Sequence, residues 1–172
     1  LFLARAEGAA VQARKQSLDL AHEIAAVAEF YEAVAQDAGV TLAVDTAGTL
    51  VIPVDRTLFQ SALGNLVENA IAATPRGGRV AIHAEREDGT IRVDVSDTGR
   101  GIPATDLPRV FDSFFSTKRS GMGLGLAIAR SIVEAHDGTI SAASCDPGAE
   151  FRFILPPAAP ADAAGPSPTA TP

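Results

Sequence analysis

The chain has 172 residues, 47% hydrophobic and 20% charged, which is enough to bury one core and too apolar for disorder along its whole length. A formal charge of −7 argues against nucleic acid as the main partner, because neutralising phosphates needs clustered Lys and Arg. Cys145, the single cysteine, excludes an intramolecular disulfide and a multi-cysteine metal site, and it suits a reducing, cytoplasmic setting.

The chain opens on Leu1 without a basic-then-apolar leader, and no run approaches the roughly 18 apolar residues of a membrane span. It reads as a soluble piece of a longer protein. Leu1 to about Gly8 has the pattern of a helix end. From about Leu18 to Ala38, Leu20, Ile24, Val27, Phe30, Tyr31 and Val34 recur at helical spacing, and Gly39 stops the run. Val40, Leu42 and Val44 alternate as a strand, and Leu50–Val54 is a second. Asp55 is placed to cap a helix over Arg56–Ala73, which Thr74-Pro75-Arg76-Gly77-Gly78 ends.

Strands Arg79–Arg86 and Thr90–Asp97 flank Glu87-Asp88-Gly89, an Asp-Gly hairpin signal. Thr98 to Gly123 is loop-rich, with a short helix near Ala104–Phe111. A helix follows from Leu124 to His136, closed by Asp137-Gly138. Strands Thr139–Ser144 and Glu150–Leu155 flank a turn, and Pro156–Pro172 has the composition of a disordered tail. The interleaving predicts an α/β two-layer sandwich with a mixed sheet and about three main helices.

Three clusters carry chemistry. Asn65 and Asn69 share one face of the Asp55-capped helix. Two carboxamides beside an apolar stripe need partners, which a divalent cation with bound phosphates would supply, or else nearby backbone or solvent. Asp97-Thr98-Gly99-Arg100-Gly101-Ile102 follows a strand. There a carboxylate can accept a hydrogen bond from an exocyclic amine such as that of adenine, unless the segment is an ordinary turn. Gly121-Met122-Gly123-Leu124-Gly125-Leu126 opens a helix, so its backbone N–H groups could approach a phosphate; the alternative is a flexible capping loop. It matches neither the P-loop nor the dinucleotide pattern. Phe111, Phe114 and Phe115 lie between the last two clusters, either plugging the core or anchoring a hinged nucleotide lid.

In this order and spacing the clusters resemble the catalytic, ATP-binding domain of bacterial sensor histidine kinases, in the superfamily shared with gyrase, Hsp90 and MutL. Asn65–Asn69 matches the N box, Asp97–Gly101 the first glycine box, Phe111–Phe115 the F box and Gly121–Gly125 the second glycine box. The resemblance implies the Bergerat-type sandwich, with ATP and Mg²⁺ as ligands. It implies that Asp97 holds the adenine amine, that Asn69 with Asn65 binds metal and phosphates, and that Gly121, Gly123 and Gly125 shape the lid's end. The candidate nucleotide-binding set is Asn65, Asn69, Asp97, Gly99, Gly101, Ile102, Lys118, Gly121, Met122, Gly123, Leu124 and Gly125.

The γ-phosphate would pass to a histidine on a separate dimerisation domain, then to a response regulator, so the fragment itself holds no catalytic residue. His22, His83 and His136 are read as structural, the last as a charge suited to a helix end. The expected division is 1–39 as the end of the dimerisation helix with a connecting helix, 40–155 as the nucleotide domain and 156–172 as tail. The fragment is expected to be monomeric, within a homodimeric parent in the bacterial inner membrane.

Gyrase-like members carry a water-activating Glu where this chain has Asn65, which favours phosphotransfer over hydrolysis. Glu68 lies about 100° around the helix from Asn69 and is not expected to be the base. Ala72 stands where many histidine kinases carry Lys or Arg, and Lys118, Arg119 or Arg130 could replace that cation. Leu1–Ala6 resembles metal-responsive sensor kinases, whereas Phe114–Lys118 is closer to nitrogen- and oxygen-sensing ones. A hydrolytic ATPase, or a nucleotide-binding module without phosphotransfer, is the alternative.

Overall fold

The computed structural model describes residues 13–116 and 122–157. The expectations for Leu1–Gly8, for Lys118, Arg119 and Gly121, and for the tail beyond residue 157 lie outside the described residues.

The elements run β1 (Gln16–Asp19), α1 (Leu20–Ala38), β2 (Thr41–Ala47), β3 (Val51–Val54), α2 (Arg56–Ala73), β4 (Arg79–Glu87), β5 (Thr90–Asp97), a 3₁₀ turn (Leu107–Arg109), α3 (Gly125–Ala135), β6 (Thr139–Ser144) and β7 (Ala149–Leu155). Five strands form a mixed sheet in the order β2-β4-β5-β7-β6, with β2 parallel to β4 and the remaining pairs antiparallel. The helices cover one face, as the expected two-layer sandwich requires.

The alternation along the strands decides which face that is. Val80, Ile82, Ala84, Ile91, Val93, Val95, Phe151, Phe153 and Leu155 point inward and are buried. They meet Phe59, Leu63, Leu66 and Val67 of α2, and Phe59 packs edge-on to Phe153 at 6.0 Å between ring centres. The opposite face carries an ion-pair ladder. Arg92 binds Glu85, Glu87 at 2.9 Å and Asp94 at 3.0 Å, and Arg152 binds Asp94 at 2.6 Å and Glu150 at 2.9 Å.

Helix α1 begins where Asp19 accepts the Ala21 N–H at 3.1 Å, so the first expected helical turn at Leu18 is strand instead. Residues Gln16–Asp19 pair antiparallel with Val51–Val54 in a separate two-stranded sheet. That pairing joins segments over 30 positions apart, and the four-residue β1 shows little alternation to announce it. Leu20, Ile24 and Val27 enter the common core, so the helix expected to connect packs as a layer of the fold. Buried Glu23 clamps α1 to α2 by accepting from Arg56 Nε at 3.1 Å and Gln60 Nε2 at 2.8 Å.

Three further expectations change. Strand β2 continues past Val44 to Ala47 on its parallel partner β4. The helix near Ala104–Phe111 contracts to a 3₁₀ turn, because Pro103 and Pro108 leave too few donors for a longer ladder. His136 does not act as a charge at a helix end. Its Nε2 accepts the Asp55 N–H at 2.9 Å and its Nδ1–H donates to the Ile132 carbonyl at 2.8 Å, an arrangement that needs the neutral ring.

Asp55 is the joint on which α2 starts. Its carboxylate accepts the N–H of Leu58 at 3.1 Å and of Arg14 at 2.9 Å, while its own N–H reaches the end of α3 through His136. Burial opposes ionisation, but the backbone N–H groups of Leu58, Arg14 and Thr57 outweigh it and bring the Asp55 pKa below its ordinary value. The resulting stability is present in full above the ordinary carboxylate range and is lost as pH falls through the lowered folded-state value. Asp55→Ala should cost about 1–2 kcal/mol in denaturant unfolding at neutral pH, and the difference from wild type should shrink below about pH 4. A penalty independent of pH would show that the carboxylate charge is not the source.

Candidate functional site

Helix α2, the end of β5, the loop 99–103 and the start of α3 surround a cleft of about 800 Å³. Asn65 and Asn69 line it from α2, one turn apart, as their spacing predicts. Asn65 faces the first residue of α3: a β-carbon on Gly125 would lie 3.2 Å from Asn65 Oδ1. The amide pair and the N-terminus of α3 therefore occupy the same wall.

Asp97 ends β5 as a buried carboxylate. Burial raises its pKa, and the N–H groups of Gly99 and Ala149 partly offset that rise. The Gly99 bond is 2.8 Å long. Gly99 does not line the cleft; it backs Asp97 against the end of α2, where a side chain would meet the Ala73 carbonyl at 2.4 Å. Gly101, Ile102, Met122, Gly123, Leu124 and Gly125 all face the cleft.

The phenylalanine segment divides its work. Phe111 packs edge-on to Phe151 at 6.2 Å, and Arg109 sits 4.7 Å over the Phe115 ring. Phe114 does not plug the core with its ring: it is 70% exposed, on a left-handed backbone at φ 67°. Its N–H donates to the Gly123 carbonyl at 2.9 Å, and Gly123, at φ 66°, fits so closely that a β-carbon would lie 2.6 Å from that backbone. The two ends of the intervening segment are thereby clasped.

Two expectations need correction. Arg130 does not replace the cation missing at Ala72, because it pairs with Glu134 at 2.8 Å on the exposed side of α3. Glu68, which was not expected to be the base, lines the cleft despite its 100° offset, because the cleft extends past Ala72; the offset alone therefore does not keep it from the site. Sequence reasoning also missed Val110, Phe151 and Ala149, apolar wall residues supplied by distant segments. Arg100 is the one cationic residue among the described lining residues, against Glu68, Asp97 and Asp106.

An acceptor-only carboxylate in an apolar recess suits an amino-bearing ring, and carboxamides beside a helix N-terminus suit a hydrated cation with phosphates. No cluster of three His, Cys, Asp or Glu exists among the described residues, so any hard cation would need oxygens from its ligand as well.

Residues 54–159 match the family model described as "Histidine kinase-, DNA gyrase B-, and HSP90-like ATPase". The sensor histidine kinase CusS of Escherichia coli O6:H1 is 37% identical over 162 residues, covering 91% of this chain and 34% of that protein. The chain thus spans about a third of the length of the curated relatives it matches. The catalytic domain of the histidine kinase ThkA superposes with a TM-score of 0.78 at 32% identity, over 83% of this chain and 95% of that one. Full-length ShkA in complex with AMPPNP gives 0.81 at 31% identity, over 89% and 33%.

Gly148 is the sharpest steric constraint on the site. At φ +94°, a β-carbon there would lie 1.7 Å from the Asp97 carbonyl oxygen. Gly148→Ala combines that overlap with left-handed strain and should cost at least about 2 kcal/mol in unfolding free energy. Asp146→Ala, in the same turn, should cost under about 0.5 kcal/mol, as surface substitutions do. Equal stability of the two variants would remove the steric argument.

Proposed function

Because the chain belongs to the histidine kinase-, DNA gyrase B- and HSP90-like ATPase family, we propose that it binds ATP with Mg²⁺ and donates the γ-phosphate to a histidine on a separate dimerisation domain of the same protein. One observation carries the reading: a buried carboxylate, a paired amide face and a helix N-terminus all open on one cleft. Asp97 accepts the exocyclic amine of adenine, with Gly101 and Ile102 along the ring. Asn65 and Asn69 hold the metal and phosphates beside Met122, Gly123, Leu124 and Gly125. Lys118 and Gly121 complete the set from the adjoining segment. Mg²⁺ supplies charge neutralisation for the triphosphate.

Transfer breaks the bond between the γ-phosphorus and the β,γ-bridging oxygen, leaving ADP, and forms a phosphorus–nitrogen bond to the acceptor imidazole. Asn65 cannot take a proton from water, so the nucleotide waits for that imidazole. In the longer protein, the residues before β1 lead from the dimerisation helix, the nucleotide domain takes in β1 and α1 and runs to 155, and 156–172 follow it. The phosphohistidine then serves a response regulator. On this reading the domain works on the cytoplasmic side of a membrane-anchored, homodimeric sensor, as the resemblance to bacterial sensor histidine kinases implies.

Hydrolysis is the competing reading, and Glu68 on the cleft wall is what favours it. Steady phosphate release that vanishes in Glu68→Gln would establish it.

The fragment should bind ATP with Mg²⁺ in calorimetry yet gain no acid-labile label from radioactive ATP, until a dimerisation domain with its histidine is added. Label on the fragment alone would refute the division of labour. Asp97→Asn and Asn69→Ala should each weaken nucleotide binding about tenfold to a hundredfold, with the circular dichroism unchanged. Wild-type affinity in both would sink the assignments.

The acid dependence has a definite sign. Asp97 accepts the amine most strongly when ionised, and burial raises its pKa. ATP affinity should therefore fall with decreasing pH before an ordinary carboxylate would titrate, starting above about pH 4. Affinity constant down to that pH would contradict the role.

A further inference from the structure

The turn between β6 and β7 packs against the loop that borders the cleft, and none of its residues belongs to the four boxes. Ser144 Oγ accepts the Ile102 N–H at 3.2 Å. The same oxygen would lie 2.8 Å from a β-carbon on Gly101, and the Gly148 carbonyl would lie 3.0 Å from it. The Cys145 N–H closes the turn on that carbonyl at 2.8 Å. One residue further, the Ala149 N–H reaches the Asp97 carboxylate. From the α2 side the loop is held at its other end, where Gly99 abuts the Ala73 carbonyl. The 99–102 segment is thus gripped between two elements, and only the α2 side was legible as part of a site.

We propose that Ser144 is a positioning residue for the nucleotide site: its hydroxyl fixes the Ile102 amide and so sets the 99–102 loop against the Asp97 carboxylate that the same turn supports through Ala149. The proposal rests on the nucleotide reading above. Ser144 is exposed and makes no core contact, so its replacement leaves the fold intact. The loop does not lose its place altogether without the hydroxyl, because Gly99 and Gly101 remain wedged; it loses the bond that pins its far end. The consequence is a loop that samples more conformations, which a ligand must then order at the expense of affinity.

Wild type, Ser144→Ala and Ser144→Thr are compared in two measurements: calorimetric titration with ATP and Mg²⁺, and hydrogen exchange of the Ile102 amide without nucleotide. The alanine variant should bind about three- to tenfold more weakly, with Ile102 exchanging at least about tenfold faster. The threonine variant, which keeps the hydroxyl, should stay within about twofold of wild type in both. Equal affinity of the alanine variant and wild type overturns the proposal, as does equal weakening in both variants with Ile102 exchange unchanged. If wild type takes up no ATP, the nucleotide reading fails; faster Ile102 exchange in Ser144→Ala would then still uphold the support of the loop, and unchanged exchange would remove that as well.

Discussion

Burying the Asp97 carboxylate at the end of β5 removes water that only fixed donors can replace. The donors here are backbone N–H groups, from Gly99 on one side and Ala149 on the other. Backbone can come that close only where side chains are absent, and so Gly99 and Gly148 both approach within steric contact of their neighbours. The need to hold one anion without a cation accounts for the two loops at this end of the sheet and for their meeting. An apolar residue at 97 would free the loops from that requirement but leave the recess without its acceptor.

Helix α2 is the beam that relates this end of the molecule to the other. Asp55 starts it, and Glu23 locks its first turns to α1 through Arg56 and Gln60. Asn65 and Asn69 follow in mid-helix, and the Ala73 carbonyl near its end meets the Gly99 loop. Because the helix runs without a break from its Asp55 cap, a change of register there would carry the amide pair with it. The ladder of Arg92, Asp94 and Arg152 does for the exposed sheet face what the apolar residues do for the covered one. It ties β4, β5 and β7 together, so the strand that carries Asp97 is braced from both faces.

What could be read from the sequence was local. Caps at Asp55, alternation in β4 and β5, the Asn65–Asn69 spacing and Gly101 beside Asp97 declare themselves within a few residues, and each was found where expected, whereas Gly99 backs Asp97 from outside the cleft. What escaped was contact between distant segments. The β1–β3 pairing joins the expected strand Val51–Val54 to a four-residue β1 with no alternation to speak of. His136 looked like a charge for a helix end because the Asp55 N–H that it accepts lies 81 positions away. Arg130 is the exception, since its partner Glu134 lies only four residues on and the pair was legible at helical spacing. Gly148 and Ser144 lie in a segment whose composition says only turn, and their meaning appears once β7 is laid beside β5.

The clasp between Phe114 and Gly123 joins two positions nine residues apart by one backbone hydrogen bond and a tight glycine fit. Phe115 and Met122, the residues just inside it, both line the cleft. Wall residues held by backbone contacts need less ordering by whatever enters the cleft, so part of the cost of binding is met by the fold before a ligand arrives.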